Sequence, residues 1–236
     1  MAAALAGAWT ASAVITIDGT ISSGEWAGAS TFTIGTQGTG ASVGTAYVRA
    51  DQNYAYAAFD ITGWTAAMGA ASGGNLLGFG LEKGTGNYPA GTWIEFQQST
   101  TPAAWGGGGQ SGPIDGQVAA FRLNTVIQGS LPGDLQSVDS FVTGHRVWEV
   151  AMPLALLGGL NAGDTLNLVG GINFNSTAHW YPAAFGAVPY SSFDQSNYGH
   201  ITVSTVPEPS TCIAGALLLL PFGASTLRML RKSRKA

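Results

Sequence analysis

Between residues 14 and 205 the apolar positions recur mostly with a period of two, and no stretch longer than a dozen residues carries a helical stripe. In the run Tyr54-Ala-Tyr-Ala-Ala-Phe-Asp-Ile the tyrosines fall on one face, with Phe59 and Ile61 on the other. Asp51-Gln52-Asn53 supplies a hairpin turn before it. The same reading predicts strands over 14–17, 31–34, 42–50, 54–61, 76–82, 92–98, 117–123, 141–152, 165–174 and 201–204. One helical turn is expected after Pro153, over 154–157, stopped by Gly158-Gly159. Many short strands parted by Gly, Asn and Asp define an all-β protein, an antiparallel β-sandwich of jelly-roll character.

The alternation stops after residue 205. From Pro209 to Leu227 no residue is charged, and the block Ala214-Gly-Ala-Leu-Leu-Leu-Leu lies at its centre. As a helix this run would extend about 28 Å, close to the hydrocarbon thickness of a bilayer. It has no polar face, as a buried helix of a globular domain would normally have. Expected here is a single C-terminal transmembrane helix over 209–227, with Pro221 tolerated inside it.

Charge sharpens this division. Five of the nine basic residues, Arg228, Arg231, Lys232, Arg234 and Lys235, follow the apolar run. Residues 1–206 keep four basic and 12 acidic side chains, a net of −8. By the positive-inside rule the basic tail stays in the cytoplasm and the acidic body lies outside. Such a body lacks the clustered Lys and Arg that neutralise phosphates, so nucleic-acid binding is excluded. A single cysteine, Cys212, rules out an internal disulfide framework and any multi-cysteine metal site. At the other end, residues 1–13 read as a signal-peptide-like segment, with Ala11 and Ala13 forming a small-x-small cleavage site. No Lys or Arg occurs before Arg49, so the basic region of such a signal is missing and the true start codon is expected upstream.

The order Val206, Pro207, Glu208, Pro209, Ser210, Thr211, then the apolar span, then Arg228-Met-Leu-Arg-Lys-Ser-Arg-Lys, resembles the PEP-CTERM sorting signal of Gram-negative bacteria. That resemblance covers about 30 residues. It implies export, an inner-membrane-anchored precursor with its body on the periplasmic side, and cleavage by an exosortase-type membrane transpeptidase. The product would then reach the cell surface or the extracellular matrix. The chemistry suits the role, because two prolines deny the segment helix and leave its backbone open to a protease.

A second resemblance lies in the body. Ile17-Asp18-Gly19, Gly24-Glu25-Trp26, Ala46-Tyr-Val-Arg-Ala-Asp51 and Val147-Trp-Glu-Val-Ala-Met-Pro153 resemble, in this order, the carbohydrate-binding family 9 and DOMON-like sandwiches. So do Ala162-Gly-Asp164 and Gly171-Ile-Asn-Phe174. It implies a sandwich of the kind attached to secreted polysaccharide-active proteins, with exopolysaccharide as the candidate partner. The pairs Glu25-Trp26 and Trp148-Glu149 read equally as packing residues, since a Trp flanked by strands most often belongs to the core.

Catalytic signatures are scarce. His145, His179 and His200 lie far apart, and no Gly-x-Ser-x-Gly elbow, P-loop or dinucleotide fingerprint occurs. Glycoside hydrolysis needs two carboxylates across a cleft; Glu82, Glu95 and Glu149 are available, but no spacing selects a pair. The candidate binding residues are Trp64, Trp105, Trp180 and Tyr181, which sit in Gly/Ala/Pro-rich stretches where a flat ring can stack on a sugar. The competing reading makes them caps on the ends of the sandwich. No cofactor is required, although Asp18, Asp115 and Asp134 are turn residues with the oxygen ligands that calcium takes. The sequence therefore reads as an exported, non-enzymatic envelope or matrix protein. The alternatives are an anchored glycan-active enzyme and an unprocessed C-terminally anchored membrane protein.

Overall fold

The computed structural model describes residues 15–62, 64, 76–83, 92–99, 111–114, 117–124, 126–142, 144–174, 177–186 and 198–205. Ala13–Thr205 form one folded unit. Among the described residues thirteen strands make up its sheet: β1 Ser30–Thr36, β2 Ser42–Ala50, β3 Tyr54–Ile61, β4 Leu76–Lys83, β5 Thr92–Ser99, β6 Gly112–Ile114, β7 Gln117–Leu123, β8 Val126–Ile127, β9 Gln136–Val142, β10 His145–Pro153, β11 Thr165–Phe174, β12 Thr177–Tyr181 and β13 Gly199–Thr202. The hydrogen-bonded order is β6-β7-β5-β4-β11-β12-β1-β2-β3-β10-β9, with β13 on β11 and β8 on β7. Every pairing between named strands is antiparallel.

The long sheet folds back around one core. Phe59 of β3 meets Phe79 of β4 edge-on at 6.0 Å and Tyr181 of β12 at 4.9 Å. Across the same core the Trp148 indole N–H of β10 donates to Gln98 Oε1 of β5 at 3.1 Å. Near the two ends of the path, Gln117 of β7 donates to Asp139 of β9 at 2.8 Å, so the all-β fold is sandwich-like and close to a closed barrel. Strand alternation explains the core directly. In β2, Gly44, Ala46, Val48 and Ala50 point inward while Tyr47 and Arg49 alternate outward. Leu77, Phe79 and Leu81 of β4, Ile94 and Phe96 of β5, and Leu166, Leu168 and Ile172 of β11 do the same.

The predicted strands over 42–50, 54–61, 117–123 and 165–174 coincide with β2, β3, β7 and β11. The expected helical turn is a 3-10 turn at Ala155–Leu157, and Gly158 takes φ 67 where the chain leaves it. Three expectations change. The long strand over 141–152 is the end of one strand, β9, and the start of another, β10, joined by a turn with Gly144 at φ 89. Residues 15–17 pair with no strand, because their backbone is held by side chains: Thr16 N–H donates to Glu25 Oε1 at 2.6 Å. β12 was not foreseen; Ala178 and His179 lack the apolar run that marks β11. Among the described residues no helix is long and apolar enough to cross a membrane; the span expected over 209–227 lies outside them.

Candidate functional site

Polar alternation builds a cavity on the outward face of β4, β5, β7, β11 and β12. On β5, Ile94 and Phe96 enter the core, so Trp93, Glu95 and Gln97 face the other way. On β4 the outward positions are Gly78, Gly80 and Glu82, and on β11 they are Asn167, Val169 and Gly171. Arg122 of β7 and Trp180 of β12 complete the rim, with Tyr198 beside them. The cavity measures about 200 Å³.

Glycine makes the hollow. A Cβ on Gly80 would stand 3.0 Å from the Val169 carbonyl oxygen, and one on Gly171 would stand 3.1 Å from the Trp180 ring. The indole of Trp180 thus packs close over Gly171 on β11, where a side chain would force the ring to shift by a few tenths of an ångström. Trp93 is fixed from its backbone. Asn124, in the left-handed conformation at φ 53, donates its N–H to Trp93 O at 2.9 Å and accepts from Trp93 N–H at 3.1 Å through its side chain. Asparagine tolerates that conformation better than other non-glycine residues, which is why it suits the turn.

Two carboxylates lie in this cavity. Glu95 accepts from Gln97 Nε2 at 2.6 Å and stands 3.9 Å from Arg122. Glu82 is 5% exposed; its Oε2 accepts from Asn167 Nδ2 at 3.4 Å, while Oε1 has no partner among the described residues. Asn167 in turn accepts from His200 Nδ1 at 2.9 Å. Burial pushes both carboxyls above the ordinary value; the Asn167 bond opposes the shift at Glu82, and Gln97 and Arg122 oppose it at Glu95.

Of the described aromatic residues singled out from sequence, Trp180 lines this cavity and Trp64 and Tyr181 do not. Trp64 is fully buried, stacked on Phe174 at 4.9 Å and under the Arg146 guanidinium at 4.0 Å, and so cannot meet a sugar. Tyr181 points to the opposite face from Trp180, as adjacent strand residues must, and donates its hydroxyl to the Gly78 carbonyl inside the core. Both belong to the main hydrophobic core. Trp105 lies outside the described residues, as do Ala11, Ala13, the motif 206–211 and the basic tail 228–236. Trp93 was missed as a site residue although its strand was foreseen. The available signal was Trp93-x-Glu95-x-Gln97 on the face opposite Ile94 and Phe96, beside Gly78 and Gly80.

Glu149 belongs elsewhere. It is fully buried on β10 and accepts from the backbone N–H groups of Asp18 at 3.0 Å and Gly19 at 2.8 Å. Burial raises its pKa against the pull of those two bonds. Of the calcium candidates, Asp18 Oδ1 accepts from Thr20 N–H, Asp134 accepts from the Tyr54 hydroxyl, and Asp115 is outside the described residues. Among the described residues no cluster of three or more His, Cys, Asp or Glu is placed to hold a metal. The histidines are also apart: His145 pairs with Asp60, His179 stacks on Phe174 and His200 meets Asn167.

No family model and no curated protein matches the sequence. Two solved structures of a family 9 carbohydrate-binding module from Caldicellulosiruptor kristjanssonii are similar in fold. The glucose complex has a TM-score of 0.51 at 10% identity, covering 83% of this chain and 94% of that one. For the cellotriose complex the TM-score is 0.53 at 10% identity, covering 83% and 92%. The resemblance read from the short motifs between Ile17 and Phe174 therefore holds at the level of fold.

Proposed function

We propose that residues 14–205 are a non-catalytic saccharide-binding module that holds a sugar ring in the cavity rimmed by Trp93 and Trp180. The carrying observation is the cavity itself: two indoles, a glycine floor, and Glu95, Gln97, Arg122 and Asn167 within reach of one small ligand. A sugar ring has apolar C–H faces and a polar hydroxyl edge, and this site offers partners for both. At about 200 Å³ it is smaller than the roughly 300–1,000 Å³ of drug-sized sites, in keeping with one or two rings in an open hollow. The fold's occurrence in a module seen with glucose and cellotriose supports the reading.

Native gel electrophoresis through soluble glucans and bacterial exopolysaccharides tests it. At least one polysaccharide should retard the wild-type chain, and Trp180→Ala should migrate freely in it. If no polysaccharide retards the chain, the binding role is lost.

A hydrolytic reading draws on Glu82 and Glu95 sharing one cavity. Both rise from adjacent strands on one face of one sheet, and hydrolysis would need them to flank the scissile bond. Incubation with any retained polysaccharide should release no reducing ends.

For the rest of the chain, the motif 206–211, the span 209–227 and the tail 228–236 act as a PEP-CTERM signal on an exported precursor, with an exosortase-type transpeptidase as partner. The mature protein's mass checks this. It should lack Arg228 onward, and retention of the tail would favour an unprocessed membrane protein.

A further inference from the structure

Resting on the saccharide-binding reading, we propose that the cavity selects a sugar carrying a free ammonium, an unacetylated amino sugar, over neutral and acidic sugars. Charge is the first reason. The cavity holds two carboxylates, Glu82 and Glu95, against one guanidinium, Arg122, which already stands 3.9 Å from Glu95. Among the described residues no other Lys or Arg lines it: Lys83, next along β4, turns to the opposite face and donates to the Gly158 and Gly159 carbonyls at 2.5 and 2.9 Å.

Glu82 supplies the second reason. It is 5% exposed, lines the cavity, and keeps Oε1 without a hydrogen bond among the described residues. A buried carboxylate oxygen without a donor is costly, and a ligand that brings a charged donor relieves it. An ammonium offers three donors and a full charge, whereas a sugar hydroxyl offers one donor and none. The rim adds to the preference, because an indole such as that of the half-buried Trp180 attracts cations as well as C–H groups. At long range, residues 1–206 carry a net of −8, which draws a cationic polymer and repels a uronate-rich one.

Calorimetric titration of the full chain, in mild detergent at about pH 7, where an amine is still largely protonated and carboxyls raised by burial are more fully ionised, tests the proposal. The probes are the trimers of glucosamine, N-acetylglucosamine, glucose (cellotriose) and glucuronate. Glucosamine trimer should bind about tenfold tighter than cellotriose, the scale of one charge-assisted hydrogen bond. N-acetylglucosamine trimer should behave like cellotriose, and glucuronate trimer should bind weakest. Glu82→Gln should bring the glucosamine-to-cellotriose ratio close to one, and Trp180→Ala should abolish binding of both. Equal or tighter binding of cellotriose or glucuronate by the wild-type chain overturns the ammonium preference and leaves the saccharide site standing. Glucosamine binding that survives Trp180→Ala also overturns it, since the cation would then adhere elsewhere on an acidic surface. If no trimer binds, the saccharide reading falls as well.

Discussion

Gly19 shows how much a single position can carry. It has φ 79, donates its N–H to the buried Glu149 carboxylate, and accepts at its carbonyl from the Ser140 hydroxyl. A Cβ there would meet Ser140 Oγ at 3.0 Å and Val138 Cγ1 at 3.2 Å. Gly19→Ala should therefore cost about 1–3 kcal/mol, from left-handed strain and crowding together. Urea unfolding measures this, and a loss below about 0.5 kcal/mol would show that Glu149 does not need the loop in this form. The Asp18-Gly19 pair was legible in the sequence as a turn. Its partner was not, because 130 residues separate Gly19 from Glu149 and no local pattern links them. The same distance problem hid Trp93: its indole gains meaning only beside Gly80 and Gly171, which come from other strands.

Among the elements, the turn after β7 does the positioning. Asn124 holds both backbone polar groups of Trp93 on β5, and so fixes where one wall of the cavity stands. Asn124→Ala removes the side-chain acceptor and leaves a non-glycine residue at φ 53. Expected are a loss of about 1–2 kcal/mol in stability and a several-fold loss of saccharide affinity, whereas Asn124→Gly should recover most of the stability and less of the affinity. Unfolding curves and titrations of the two variants separate these effects; wild-type affinity in both would mean that the side chain does not position Trp93. Strand periodicity located β2, β3, β7 and β11 well, since each has a clear inward series. It merged β9 and β10 because Phe141, Val142, Val147 and Trp148 read as one apolar stretch, and the bend at Gly144 leaves no stronger mark than any other glycine.

At the scale of the molecule, buried ionisable groups set opposing pH responses. Burial holds Glu82, Glu95 and Glu149 above the ordinary carboxyl value, so the folded chain retains protons that the unfolded chain has released. Their contribution is fully present below about 4.5 and declines as pH rises through the folded values. His179 acts the other way. It is 4% exposed, neither ring nitrogen has a hydrogen-bond partner among the described residues, and burial lowers its pKa below 6.5. Stability from its neutral form is fully present above 6.5 and is lost as pH falls through the folded value. His179→Phe keeps the stacking on Phe174 and removes the acid-side loss. Urea unfolding at pH 5 and pH 7 should show the variant gaining more, relative to wild type, at pH 5. An identical gain at both values would contradict the assignment.

The proposed binding role rests on one cavity, whose two indoles can be watched directly. Seven tryptophans give seven indole N–H signals in a heteronuclear spectrum, and Trp93→Phe and Trp180→Phe assign the two that matter. Addition of a saccharide that retards the chain in gels should shift the Trp93 and Trp180 signals, in proportion to occupancy, while those of the core residues Trp64 and Trp148 stay in place. Retardation with the Trp93 and Trp180 signals unmoved would contradict the assignment of the cavity as the saccharide site.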